Sequence, residues 1–150
     1  MKASEELRAR LADPSLCGLI PLDGDDADDI RVATSQLGFA VIDVDLRGAD
    51  RPTLFARFAA ACGFPAWFGH NWDALLDSLT DWSWLEMPGY ALFVTGIEQV
   101  ELEPADVRVL AEILEEATHR MAHDGTPMWI CVVGTTSSAA GSGASTSTTS

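Results

Sequence analysis

Residues 64–82, FPAWFGHNWDALLDSLTDW, combine a dense apolar pattern with three aspartates and contain no lysine or arginine. Asn71 predicts a helix start, because its side-chain oxygen can accept hydrogen bonds from the free N–H groups of a first turn. At about 100° per residue, the large apolar side chains that follow fall on one side of this helix. They are Trp72, Leu75, Leu76, Leu79 and Trp82. The stretch therefore predicts an amphipathic helix packed on a core.

The opposite side of this predicted helix carries Asp73, Asp77, Thr80 and Asp81. Like charges four residues apart destabilise a helix by roughly 0.2–0.5 kcal/mol. Aspartate is also a poor helix former, and only the first turn gains from a negative charge. Lys or Glu would suit a face that is merely solvated. The pattern therefore favours a functional role for these carboxylates.

The loop before the helix places two neighbouring aromatic residues, Trp67 and Phe68, between Pro65 and Gly69. We expect one ring to enter the core and the other to stay exposed. An exposed tryptophan beside a row of carboxylates is typical of a protein-binding hot spot.

The charge of the chain is strongly one-sided, with a formal net charge of −14 over 150 residues. No Lys or Arg occurs between residues 58 and 107. Nucleic acid is therefore not expected as a partner, since affinity for phosphates comes from cationic side chains. A basic protein partner is favoured instead. No apolar run approaches the ~20 residues of a membrane-spanning helix, so we expect no membrane partner.

The three cysteines, Cys17, Cys62 and Cys131, are far apart and lack a CxxC spacing. They predict buried, reduced thiols. The first residues, MKASEELRARLADP, lack the apolar segment of a secretory signal. Both features favour a cytoplasmic location.

Short apolar runs predict three strands, at residues 39–46, 90–96 and 127–133. Two further helices are predicted at residues 53–63 and 103–125, the first ending at Gly63. Strands that alternate with helices favour parallel pairing. We therefore expect an α/β fold with a small three-stranded parallel sheet packed by helices.

We expect this domain to span residues 37–133. Residues 1–36 predict an N-terminal extension, in which a short helix is favoured at residues 4–11 and CGLIPL is compatible with an added strand. The run DGDDADD is typical of an acidic turn or loop. Residues 134–150 contain no side chain larger than threonine and predict a disordered tail.

The run PAWFGHNWDALLDSLTDW at residues 65–82 resembles the signature of barstar-like proteins, which are small cytoplasmic inhibitors of secreted microbial ribonucleases. The predicted order of elements over residues 39–133 resembles that family more loosely. The resemblance implies a barstar-like fold and a protein that is not an enzyme and needs no cofactor. It also implies a basic extracellular ribonuclease as the partner and a free inhibitor that is monomeric.

By position, the resemblance implies that the partner is bound by the loop, the acidic helix and one residue of the last helix. The implied residues are Trp67, Asp73, Asp77, Thr80 and Glu116, with the adjacent Glu115 as the alternative to Glu116. To these we add their neighbours in the loop and the acidic helix as predicted partner-binding residues, namely Phe68, Gly69, Asn71 and Asp81. Their carboxylates imitate RNA phosphates against the cationic groups of the enzyme. The family usually has Tyr at the position of Trp67 and Gly at the position of Asp81. It often has Trp at the position of Leu76. Asp81 is the departure most expected to change the partner.

Three alternatives remain open at this point. The fold could serve as an immunity or regulatory module for a different toxin or basic partner. Asp73 and Asp77 could form the carboxylate pair of a glycosidase, although such groups lie in a cleft and nothing here predicts one. His119 and His123, with an acidic residue one turn earlier, could form a chelating helix face, but no further ligand motif accompanies them. We therefore predict no catalytic residue and no metal site.

Overall fold

The structure, a computed structural model, describes residues 5–66 and 68–134. Its elements in chain order are α1 (Glu5–Leu11), β1 (Leu19–Leu22), α2 (Gly24–Gln36), β2 (Ala40–Asp45), α3 (Arg51–Cys62), α4 (Trp72–Leu79), β3 (Tyr90–Thr95), α5 (Pro104–His123) and β4 (Met128–Val133). Two single-turn 3-10 helices lie at Pro14–Leu16 and Ile97–Gln99. No described helix is both long and apolar enough to cross a membrane.

The strands form one parallel sheet in the order β1-β4-β3-β2. The prediction of an α/β fold with a parallel sheet packed by helices is confirmed, but the prediction of three strands is wrong. The fourth strand is β1, which lies within CGLIPL and pairs with β4 from Leu19 opposite Ile130 to Leu22 opposite Val133. β4 is buried from Met128 to Cys131, so its free edge needs a covering partner.

The larger core lies between one face of the sheet and helices α3, α4 and α5. Leu75 and Leu79 of α4 are fully buried, as the amphipathic pattern predicts, whereas Trp72 and Leu76 are only half-buried. Trp82 is also buried, but it reaches the core from the loop after α4. Its indole N–H donates to the Leu79 carbonyl oxygen at 2.7 Å, which places the ring directly beneath the end of the helix.

A second core covers the other face of the sheet and is built largely from α1 and α2. It contains Phe93 and Trp129 from the central strands, and the Trp129 indole N–H donates to the Leu11 carbonyl oxygen at 2.8 Å. The short helix predicted at residues 4–11 is confirmed as α1. The described part of the predicted extension thus packs on the same sheet as the rest of the chain.

The acidic run DGDDADD begins helix α2, so the prediction of a turn or loop there is wrong. Asp23 caps the helix, its carboxylate accepting from the Asp26 backbone N–H at 2.8 Å. Asp25 and Asp26 lie in the first turn, where the helix dipole favours negative charge. The predicted tail lies almost wholly outside the described residues.

Ser78, on the core side of α4, is 1% exposed, and its hydroxyl has no hydrogen-bond partner among the described residues. A buried unpaired hydroxyl costs about 1–3 kcal/mol. We therefore expect Ser78→Ala to raise the free energy of unfolding by about 1 kcal/mol in urea denaturation. Thr118→Val is the control, because its buried hydroxyl already donates to the Glu115 carbonyl oxygen at 2.7 Å. Equal changes in the two variants would contradict this explanation.

Candidate functional site

The acidic helix α4 begins at the predicted cap. Asn71 Oδ1 accepts a hydrogen bond from the Ala74 backbone N–H at 2.8 Å, and Asn71 Nδ2 donates to the Gly69 carbonyl oxygen at 3.2 Å. A Cβ atom at position 69 would lie 3.1 Å from Asn71 Nδ2 and 3.5 Å from Ala74 Cβ. Gly69 and Asn71, both predicted partner-binding residues, therefore also fix the loop closely against the first turn of the helix.

Asp73 and Asp77 are both exposed on α4. Their Cβ atoms, four residues apart on a helix, are separated by about 5–6 Å. The ion pairs among the described residues involve other carboxylates. Two carboxylates without an internal cation therefore share one exposed helix face, where an external cation can reach both.

The end of α4 brings Thr80 and Asp81 next to this face. The Thr80 hydroxyl donates to the Leu76 and Asp77 carbonyl oxygens at 3.0 and 3.1 Å, closing the last turn. Asp81 lies beyond the helix, and its carboxylate accepts from the Ser83 backbone N–H at 3.1 Å. Asp81 is exposed. It thus stabilises the turn and adds a third carboxylate to the surface.

An open cavity of about 350 Å³ lies beside Thr80 and Asp81, and two acidic residues that the sequence argument missed, Glu86 and Asp124, also line it. Its apolar lining comes from Trp82, Met87, Tyr90 and Met121. Asp124 follows α5 and is distant in sequence from Asp81. No local pattern joins the two, because the packing of α5 against α4 alone brings them together.

Glu116 lies on the exposed side of α5, where its Oε2 atom is 2.9 Å from Arg120 Nε. An exposed pair of this kind contributes only about 0–1 kcal/mol, so a partner can displace it readily. Glu116 and Asp124 line a second cavity of about 350 Å³ together with His119, Arg120 and His123. Since Asp124 borders both cavities, the surface around Asp81 is continuous with the surface around Glu116.

The two histidines of α5 do not complete a metal site. Among the described residues, no group of three or more His, Cys, Asp or Glu side chains is arranged to hold a metal ion. The geometry therefore gives no support to a chelating face at His119 and His123.

Several arginines lie away from α4, on or next to the edge strand β2. Arg31 pairs with Asp43 at 2.9 Å, and Arg47 pairs with Asp45 at 2.6 Å. The hydrogen bonds from Arg47 lower the pKa of Asp45 to about 2. These cations are occupied by neighbouring carboxylates, and none of the ion pairs in the described part of the chain involves a residue of α4.

The loop before α4 is anchored by Phe68, which is 5% exposed. Its ring centroid lies 4.9 Å from that of Phe64 and 6.4 Å from that of Phe55. The structure thus places the Phe68 side chain in the core and not on the surface, where the resemblance puts partner contacts. Trp67, the other predicted aromatic contact, lies outside the described residues.

The cysteines offer no reactive thiol to this surface. Cys62 and Cys131 are buried and Cys17 is half-buried, and all three are free. Burial raises the pKa of Cys17 to about 11 and those of Cys62 and Cys131 to about 12. Their thiols stay protonated at neutral pH, as is usual for cysteines that serve in packing.

A family model described as Barstar (barnase inhibitor) matches residues 39–133. The match runs from β2 to β4 and includes the loop, α4 and α5, whereas α1, β1 and α2 precede it. A comparison with curated proteins found no matching sequence. Because the match covers more than half of the chain and contains the whole acidic surface, the chain belongs to the barstar family.

Proposed function

We propose that the protein is an inhibitor that binds a basic secreted ribonuclease and blocks its active site. The observation that carries this proposal is the exposed pair Asp73 and Asp77, which has no internal cation and lies in the part of the chain that matches the barnase-inhibitor family. Carboxylates on α4 take the places of RNA phosphates and form charge-assisted hydrogen bonds with Arg, Lys and His of the enzyme.

The shape of the site supports an inhibitor more than a hydrolase. A glycosidase holds its two carboxylates in a cleft, where burial raises the pKa of one of them. Asp73 and Asp77 both lie on the exposed side of a helix. An exposed row of charges suits a surface that inserts into the cleft of another protein.

The electrostatic field of the protein supports the same partner. A net charge of −14 attracts a basic protein from a distance, and the carboxylates Asp81, Glu86 and Asp124 extend the negative surface beyond α4. We place the inhibitor in the cytoplasm, as a monomer when free. There it would protect the producing cell from its own ribonuclease.

We expect stoichiometric inhibition of RNA cleavage by a guanyl-preferring ribonuclease of the barnase type. Because charge steers the encounter, the association rate constant should fall at least tenfold between about 20 mM and about 500 mM salt. Stopped-flow fluorescence measures the rate and cleavage of a labelled RNA measures the inhibition. A basic pancreatic-type ribonuclease serves as a control for attraction by charge alone. Failure to bind any barnase-type enzyme at low salt would contradict the proposal.

A second candidate keeps the fold and changes the partner to a different toxin or basic protein. Asp81 favours it, because this carboxylate stands beside Thr80 where the family usually has glycine, and it lines a cavity with Glu86 and Asp124. A pull-down from secreted basic proteins, repeated with Asp73 and Asp77 both changed to Ala, distinguishes the two candidates. Specific capture of a protein that is not a ribonuclease would favour the second.

A further inference from the structure

His70 has a backbone conformation that is uncommon for residues other than glycine. Its φ is 53°, and it is the only non-glycine residue in the described part of the chain with a positive φ. A Cβ atom disfavours this left-handed conformation, which glycine adopts freely. His70 lies between Gly69 and the helix cap Asn71, so its backbone sets the direction in which the chain enters α4. A strained residue beside a binding surface suggests that its side chain has a role.

The imidazole of His70 contacts Phe68 in two ways. Its Nδ1 atom lies 3.1 Å from the Phe68 carbonyl oxygen, and the two ring centroids are 4.9 Å apart at an angle of 46°. A carbonyl oxygen can only accept a hydrogen bond, so Nδ1 carries the proton in this contact. The His70 side chain is exposed, whereas Phe68 is buried. The imidazole therefore covers the loop from the solvent side.

Two further hydrogen bonds hold the residues around His70. The Phe68 backbone N–H donates to the Pro65 carbonyl oxygen at 3.0 Å. Asn71 joins the far end of the loop to the first turn of α4 through its bond to Gly69. The contact of His70 with Phe68 lies between these two hydrogen bonds along the chain and links Phe68 to the residues next to the helix cap.

We propose that His70 is a positioning residue for partner recognition, which holds residues 68–71 of the loop in their binding conformation before the ribonuclease arrives. This inference rests on the proposed inhibitor function, in which the loop and α4 form one surface. A loop ordered in advance loses less conformational freedom on binding. Such preorganisation affects dissociation more than association, whereas the charges of α4 set the encounter rate.

The test uses His70→Gly, which keeps the left-handed backbone accessible and removes the imidazole. We expect the dissociation rate constant of the complex with a barnase-type ribonuclease to rise about tenfold and the association rate constant to stay within about twofold. His70→Asn tolerates the same backbone and offers an amide donor to the Phe68 carbonyl, so it should recover part of the loss. A wild-type dissociation rate in His70→Gly would overturn the proposal.

A measurement on the free protein separates this proposal from the proposed function. The ¹⁵N NMR signals of the neutral imidazole should identify the tautomer protonated at Nδ1, which the contact with the Phe68 carbonyl requires. A proton on Nε2 would overturn the positioning role even if the inhibitor binds. If the wild-type protein binds no ribonuclease, the proposed function fails. If Asp77→Ala weakens binding and His70→Gly does not, the function stands and the role of His70 is rejected.

Discussion

The variant Asp77→Ala should bind the proposed ribonuclease partner at least about 30-fold more weakly than the wild type. Removing one member of a desolvated charge pair at an interface costs about 2–5 kcal/mol, and 1.4 kcal/mol corresponds to tenfold in affinity. Asp77 stands at the centre of the exposed carboxylate row, between Asp73 and Asp81 in sequence. In the proposed complex, its loss would leave cations of the enzyme buried without a partner. Surface plasmon resonance or stopped-flow kinetics measures the change.

The same variant should unfold at a slightly higher denaturant concentration than the wild type. Asp77 lies in the last turn of α4, where the helix dipole disfavours a negative charge, and it repels Asp73 four residues earlier. Alanine also has the better helix propensity. Together these effects favour a gain of about 0.5–1 kcal/mol in the free energy of unfolding. Binding and stability thus change in opposite directions, as expected of a residue retained for function.

Asp28→Ala is a matched control for this experiment. It removes the same single charge from an exposed position on α2, and α2 packs on the face of the sheet opposite α4. Its affinity should remain within about twofold of the wild type, because only the net charge changes. Equal losses of affinity in the two variants would show that the carboxylates of α4 act only through the net charge of the protein. Unfolding of Asp77→Ala would show that Asp77 is structural.

Much of the candidate site could be predicted from the sequence because its signals are local. Asn71 caps α4 through its own side chain, and Gly63 ends α3 with a φ of 70°. The spacing of Leu75 and Leu79 predicts the buried side of α4, and the aspartates mark the exposed side. Each of these features depends on neighbours within one or two turns, so a short stretch of sequence contains all the information needed.

The features that could not be predicted depend on contacts between residues far apart in the sequence, which a short stretch cannot contain. Glu86 and Asp124 join the acidic surface only because α5 packs against α4. Helix α4 ends at Leu79, so Trp82 is brought to the core by the following turn and not by the helical period. The strand β1 has only four residues, one of them Pro21, and its pairing with β4 decides its conformation. A periodicity argument has no access to such pairings.

The wrong prediction for DGDDADD has a different physical origin. A run of acidic residues is typical of a loop when it is considered alone, but the first turn of a helix also favours negative charge. Asp23 provides the cap, and Ala27 and Ala33 give α2 a narrow face that packs on the sheet. The small apolar residues were the signal for a helix, and the surrounding charges obscured it.

Deletion of residues 1–37 should abolish cooperative folding, although the family match begins only at residue 39. The deletion removes α1, β1 and α2 and exposes the second core, including Phe39, Phe93 and Trp129. Exposing roughly 100 Å² of each ring loses about 2.5 kcal/mol per residue. The sum is comparable with the 5–15 kcal/mol by which a typical domain is stable. The deletion also frees the edge of β4 for pairing between molecules.

A matched pair of point variants tests whether folding depends on the second core, without removing any backbone. Leu11 is 2% exposed and Leu16 is 51% exposed. Leu11→Ala should therefore lower the free energy of unfolding by about 2–4 kcal/mol, and Leu16→Ala by less than about 0.5 kcal/mol. Urea denaturation followed by tryptophan fluorescence measures both, since Trp129 lies against α1. If the chain without residues 1–37 unfolds cooperatively and still inhibits the ribonuclease, these residues are an accessory layer. If that chain aggregates and Leu11→Ala is destabilised as expected, this family member depends on a sheet that is covered on both faces.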